Sequence, residues 1–156
     1  LRAFLEMMTV KKVLALDVGN VRIGVAGNDA LGITAQGIET WKRKGLVNDI
    51  AHFLEIAKER GAEAFVLGLP KNMDGTEGFQ AEDTRTFGDA LKEASGLPIF
   101  YVDERLTSKS AHNMLHETGI KQKDHKKVVD KIAAVLILET YMQNPERYWK
   151  TEEERP

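Results

Sequence analysis

The sequence predicts an α/β fold: a five-stranded mixed sheet, an antiparallel three-strand meander plus two parallel strands, with helices on both faces. Three observations predict it. Strand-length runs crowd residues 11–42, joined by turns too short for the crossover that parallel pairing needs. From Leu46 onward, helical periodicity alternates with apolar runs of strand length, the pattern of βαβ units. The length, 156 residues, suits one domain with one core.

The elements follow in order. KKVLALDVGN reads as the first strand, with Val13, Ala15 and Asp17 on one face and Leu14, Leu16 and Val18 on the other. Gly19-Asn20 then turns the chain. RIGVAGND and ITAQGIETW give two more strands, separated by a turn around Asp29 and Gly32. Leu46, Ile50, Phe53, Leu54 and Ala57 recur at helical spacing, so a helix is expected from Leu46 to Arg60, stopped by Gly61. AEAFVLGLP is a strand covered on both faces, and Glu77 to Ala94 is a helix. After Gly96-Leu97-Pro98 comes the strand IFYVDE. Thr107 or Ser108 is placed to cap a short helix ending at Gly119. IKQKDHKK leads into a last helix from about Lys126 to Gln143. The predicted domain is 11–143, preceded by an N-terminal extension at 1–10, in which no secretory signal is read. A polar tail at 144–156 is expected to fray.

Composition narrows the classes. An apolar content of 42% excludes a disordered or collagen-like chain. With no Cys there is neither a disulfide framework nor a thiolate metal ligand or nucleophile, which suits the cytoplasm. The apolar stretch from Ile132 to Leu138 is too short to span a bilayer, so no membrane partner is expected. A formal charge of −2, at face value, argues against nucleic acid.

Acids fall at the ends of buried elements. Asp17 closes VLAL, Asp103 and Glu104 close IFYV, and Asp130 precedes IAAVLIL on the face shared by Ala133, Ala134 and Ile137. Each has an ordinary reading, as a turn residue, a strand surfacing, or a helix-start acid. Together they suggest convergence on one sheet edge, where like charges repel unless a cation is present. Oxygen-only donors favour Mg²⁺ or Mn²⁺, and a pair of such ions suits in-line phosphodiester hydrolysis.

Four motifs sharpen this. DVGNVRIGVAGND, VLGLPKNMDGTEG, DERLTS and VDKIAAVLILETYM resemble, in order and spacing, the motifs of the YqgF (RuvX) family, and they cover Val13 to Met142. That family is Holliday-junction-resolvase-like and is associated with pre-16S rRNA processing. The resemblance implies an RNase H-like fold and a metal-dependent nuclease of the bacterial cytoplasm. Asp17 matches the acid of the first strand and Asp130 that of the last helix, while the third acid falls in DERLTS. Asp103 and Glu104 lie on opposite faces of a strand; Glu104 is preferred because a turn after the strand can aim it inward. The resemblance thus implies Asp17, Glu104 and Asp130 as catalytic metal ligands, with Asp103 the alternative. Asn20 and Asn28 depart from the family's common residues, and Asn20 bears on contacts beside the metals.

Basic and glycine-rich segments supply candidate substrate contacts. Arg22 and Arg105 lie within a few residues of proposed ligands. GLPKNMDGTEG joins a strand to a helix and lacks the Gly-Lys-Ser/Thr ending of a nucleotide loop, and within it Lys71 and Asn72 are candidates. Lys121, Lys123, Lys126 and Lys127 lead into the helix of Asp130 and suit a nucleic-acid backbone. His112 and His116, four apart, lack a third zinc ligand and read as surface residues.

The expected function is hydrolysis of phosphodiester bonds in 5′-end maturation of pre-16S rRNA. Its competitors are resolution of Holliday junctions or cutting of other branched or single-stranded DNA, for which a homodimer would supply paired sites, and non-catalytic binding in ribosome biogenesis or transcription. A sugar-kinase or actin-type ATPase would need two such domains. Two bound divalent ions would carry the formal charge of −2 to about +2, so near-neutrality does not exclude nucleic acid.

Overall fold

The computed structural model describes residues 10–104 and 125–153. Five strands form one sheet in the order β3-β2-β1-β4-β5. They are β1 (Val13–Val18), β2 (Arg22–Asn28), β3 (Ala35–Lys42), β4 (Ala64–Leu69) and β5 (Ile99–Asp103). β1–β2 and β2–β3 are antiparallel, whereas β1–β4 and β4–β5 are parallel. Among the described residues the helices are α1 (Leu46–Arg60), α2 (Phe79–Ser95), α3 (His125–Gln143) and α4 (Pro145–Glu153). The predicted mixed sheet, meander first and parallel pair second, is the one observed.

Strand alternation divides the core in two. Val13 and Ala15 of β1, Ala64 and Val66 of β4, and Phe100 and Val102 of β5 pack beneath Ala134, Ile137 and Leu138 of α3. Leu14, Leu16, Phe65 and Leu67 point the other way, onto Ile50, Phe53, Phe87 and Leu91 of α1 and α2. β4 is buried along its whole length because both faces are covered. Gly61 and Gly96 end α1 and α2 in the left-handed conformation, as the sequence pattern requires.

The expectation of a frayed C-terminal tail is corrected in part. Pro145 opens α4, whose Tyr148 and Trp149 pack on Phe100 and Tyr141, with Trp149 Nε1 donating to Tyr141 Oη at 2.6 Å. Two aromatics in a polar stretch bury enough area to hold one short helix. The capped helix expected after Thr107 or Ser108 lies outside the described residues, as do Arg105, His112, His116, Lys121 and Lys123. The side chains of Lys126 and Lys127 are likewise outside them. Among the described residues, no helix is long and apolar enough to cross a membrane.

Candidate active site

Asp17, Glu104 and Asp130 come from three elements and meet on the α3 side of the sheet. Asp17 shares its face with Val13 and Ala15 by strand alternation. On β5, Phe100 and Val102 point towards α3, so Glu104 emerges on that side and Asp103, at the strand's end, is exposed. The Glu104 N–H still donates to the Leu69 carbonyl at 3.2 Å, which continues the β5–β4 ladder under the carboxyl group. Asp130 stands on α3 where that helix crosses β2 at Gly24, the residue paired with Asp17 in register.

The electrostatics follow from this crowding. Burial raises the Asp17 carboxyl to about 6, Asp130's charge adds to the rise, and a hydrogen bond with Glu104 opposes it. Burial also drives the Glu104 carboxyl up to about 9, reinforced by Asp17's charge and hydrogen bond and by Asp103. At neutral pH Glu104 therefore keeps its proton and shares it with the Asp17 carboxylate. Asp130 is balanced differently, because Arg22 Nε donates to its Oδ2 at 3.2 Å. One proton and one guanidinium thus offset the repulsion of the acids.

A buried carboxylate that the sequence reading did not single out fixes the rear of the site. Asp49 of α1 accepts hydrogen bonds from Trp41 Nε1 at 2.9 Å, Lys44 N at 2.8 Å and Arg43 Nε at 3.0 Å. Burial alone would raise its carboxyl, but these bonds and Arg43's charge outweigh it and hold the group below the usual range. Arg43 also donates from Nη1 to the Gly19 carbonyl at 3.2 Å, which clamps the β1–β2 turn next to Asp17. The signal was faint, a lone acid in the first turn of a helix, which ordinarily reads as a dipole partner.

The candidate substrate contacts are placed unevenly. Arg22 lies inside the carboxyl cluster, bonded to Asp130. Lys71 and Asn72 are in the β4–α2 loop; there Asn72 Nδ2 donates to Thr76 Oγ1 at 3.0 Å, and the Thr76 N–H donates to Asp74. Asn72 therefore closes its own loop. Asn28 is buried far from the acids, accepting from the Val13 N–H and donating to the Lys11 carbonyl, both at 2.9 Å.

Hard oxygen donors of like charge suit Mg²⁺ or Mn²⁺. Among the described residues, no three His, Asp or Glu side chains already close into an ion-sized cage. Asp17 and Glu104 form a bonded pair, and Asp130 turns to Arg22. The donor set fits a cation by its chemistry; for all three acids to face one, Glu104 would have to lose its proton and Asp130 its bond to Arg22.

Residues 11–144 match the model of a family described as RuvX, Holliday junction resolvase. A protein of Syntrophomonas wolfei named "Putative pre-16S rRNA nuclease" is 46% identical over 131 residues, covering 84% of this chain and 93% of its own length. One of the same name from Clostridium acetobutylicum is 44% identical, covering 85% and 98%. Among solved structures, Thermus thermophilus RuvC in complex with a Holliday junction substrate matches with TM-score 0.51 at 16% identity, covering 86% of this chain and 96% of its own. The fowlpox virus resolvase with Holliday junction DNA gives 0.52 at 11%, covering 86% and 98%. At such identities the likeness establishes the fold, the one expected from the motif resemblance.

Proposed function

The chain belongs to the RuvX family, and from that membership and the carboxyl cluster we propose that it is a divalent-metal-dependent nuclease acting on the 5′ end of immature 16S rRNA. The observation that carries the chemistry is the meeting of Asp17, Glu104 and Asp130, drawn from β1, the end of β5 and α3, on one side of the sheet. The relatives' shared name carries the substrate.

Asp17, Glu104 and Asp130 would hold the metal. When bound, Mg²⁺ or Mn²⁺ supplies an activated water and stabilises the leaving oxygen of an in-line displacement. The residues do the rest. On binding the ion, Glu104 would release to solvent water the proton it shares with Asp17, leaving both as acceptor-only carboxylates. Arg22, released from Asp130, is within reach of a phosphate at the same place and suits it as a forked donor. Lys71, Arg105, Lys121, Lys123, Lys126 and Lys127 would hold the backbone on either side. A ribosome-precursor substrate puts this work in the cytoplasm.

The test uses end-labelled pre-16S leader RNA and a four-way DNA junction, each with Mg²⁺, with Mn²⁺ and with neither. Cleavage of the RNA by wild type with metal, lost in Asp17→Asn, is expected. Preferential junction cleavage by a dimer would transfer the substrate assignment to DNA. Metal-replete wild type that binds the RNA and cuts neither substrate would overturn the nuclease reading in favour of a binding role.

A further inference from the structure

Asp17 sits between two glycines. In β2 its register partner is Gly24. In β4, Leu67 pairs with Leu16, so Gly68 is the next residue beside Asp17; Gly68 in turn pairs with Val102, two residues before Glu104. Neither glycine has a positive φ, so neither is there for its backbone conformation. What each provides is the absence of a side chain. A Cβ on Gly24 would run into the backbone carbonyl of Asp130, and one on Gly68 would run into Glu104 Oε2 and Ile137 Cδ1.

We infer that Gly24 and Gly68 are positioning residues of the metal site: the bare strand at Gly24 lets α3 descend until Asp130 reaches Asp17, and the bare strand at Gly68 lets Glu104 reach Asp17 across β4. The inference rests on the metal reading above and adds which residues set the spacing of its ligands. Gly27 and Gly37 face movable side chains instead, Gly37 that of Lys131 on α3. A Cβ on Gly27 first meets the Arg60 guanidinium, the movable end of a long side chain. At Gly24 the obstacle is backbone, which could yield only if the whole helix moved. At Gly68 the obstacle is the ligand itself.

Gly68 is the sharper test, because its two clashes can be separated. Ile137→Val removes the Cδ1 atom, so in the pair Gly68→Ala with Ile137→Val the main remaining obstacle is the Glu104 carboxyl, and the pair is compared with Ile137→Val alone. Mn²⁺ affinity, followed by calorimetry, is expected to fall at least about tenfold in that pair, on the scale seen when groups supporting a metal ligand are altered. Gly27→Ala is the control and should bind Mn²⁺ as wild type does. A second measurement needs no metal: Gly68→Ala should lower the melting temperature markedly less when Glu104 is already Ala. Unchanged Mn²⁺ affinity in the pair, or an equal loss of melting temperature with and without the Glu104 side chain, would overturn the inference. Wild type that binds no Mn²⁺ would instead remove the metal reading, and the melting comparison would still decide whether Gly68 makes room for Glu104.

Discussion

At the scale of single residues, the arrangement turns on how three acids tolerate one another. Glu104 lies against Asp17, while its neighbour Asp103 is exposed at the end of β5. Glu104→Gln is therefore expected to lower cleavage at least about 100-fold and Asp103→Asn by only a few-fold, measured with the same labelled RNA. The reverse order would place the ligand at Asp103. The raised carboxyls also fix a sign. Asp17 and Glu104 bind protons more tightly folded than unfolded, so they stabilise the metal-free protein fully below about pH 4 and lose that contribution as pH rises through about 6 and then about 9. Relative to Asp17→Asn/Glu104→Gln, the metal-free wild type should lose melting temperature between pH 5 and pH 9. Mn²⁺ should restore it most at the high end, since ion binding displaces the same protons. Arg22→Gln should tighten Mn²⁺ binding a few-fold, because Asp130 is freed, while weakening RNA binding. Weakened binding of both would show that Arg22 helps to hold Asp130 for the ion.

Elements decide whether those residues meet. The boundaries of α1 and the alternation along β1 were legible because each rests on local rules, helical spacing closed by Gly61 in one case and period two in the other. The sense of pairing was legible too, since short turns impose antiparallel pairing and long crossovers parallel pairing, whereas the central place of β1, between β2 and β4, came from the structure. Less legible was α4. Its composition is polar, and the two aromatics that anchor it pack on Phe100 of β5, distant in the sequence, as well as on Tyr141 of the preceding helix. Trp149→Ala is expected to cost about 2 kcal/mol, or roughly 6 °C in melting temperature, as a half-buried aromatic removed from a packed cluster. A change under 1 °C would mean that α4 adds nothing to the fold. Gly24 belongs at this scale as well, because it governs how deeply one helix sits on one strand.

For the molecule as a whole, charge and substrate are linked. Its formal charge of −2 includes the acids proposed to hold metal, whereas lysines gather just before α3 and in its first turn. Replacing Lys121, Lys123, Lys126 and Lys127 with Ala should weaken RNA binding and flatten its salt dependence, the logarithmic slope falling by at most about 3. An unchanged slope would remove that segment from the binding surface. The sequence by itself determined a five-stranded mixed sheet with both faces covered and the alternation along β1, because these follow from periodicity and connection length along the chain. It also brought forward Asp17 and Asp130, acids at the ends of apolar runs. Only the tertiary structure decided the rest: the proton shared by Asp17 and Glu104, the hold of Arg22 on Asp130, and the two glycines that leave room for them. Those depend on distances between atoms far apart in the chain, and a glycine's role there is the space it leaves, which no local pattern records.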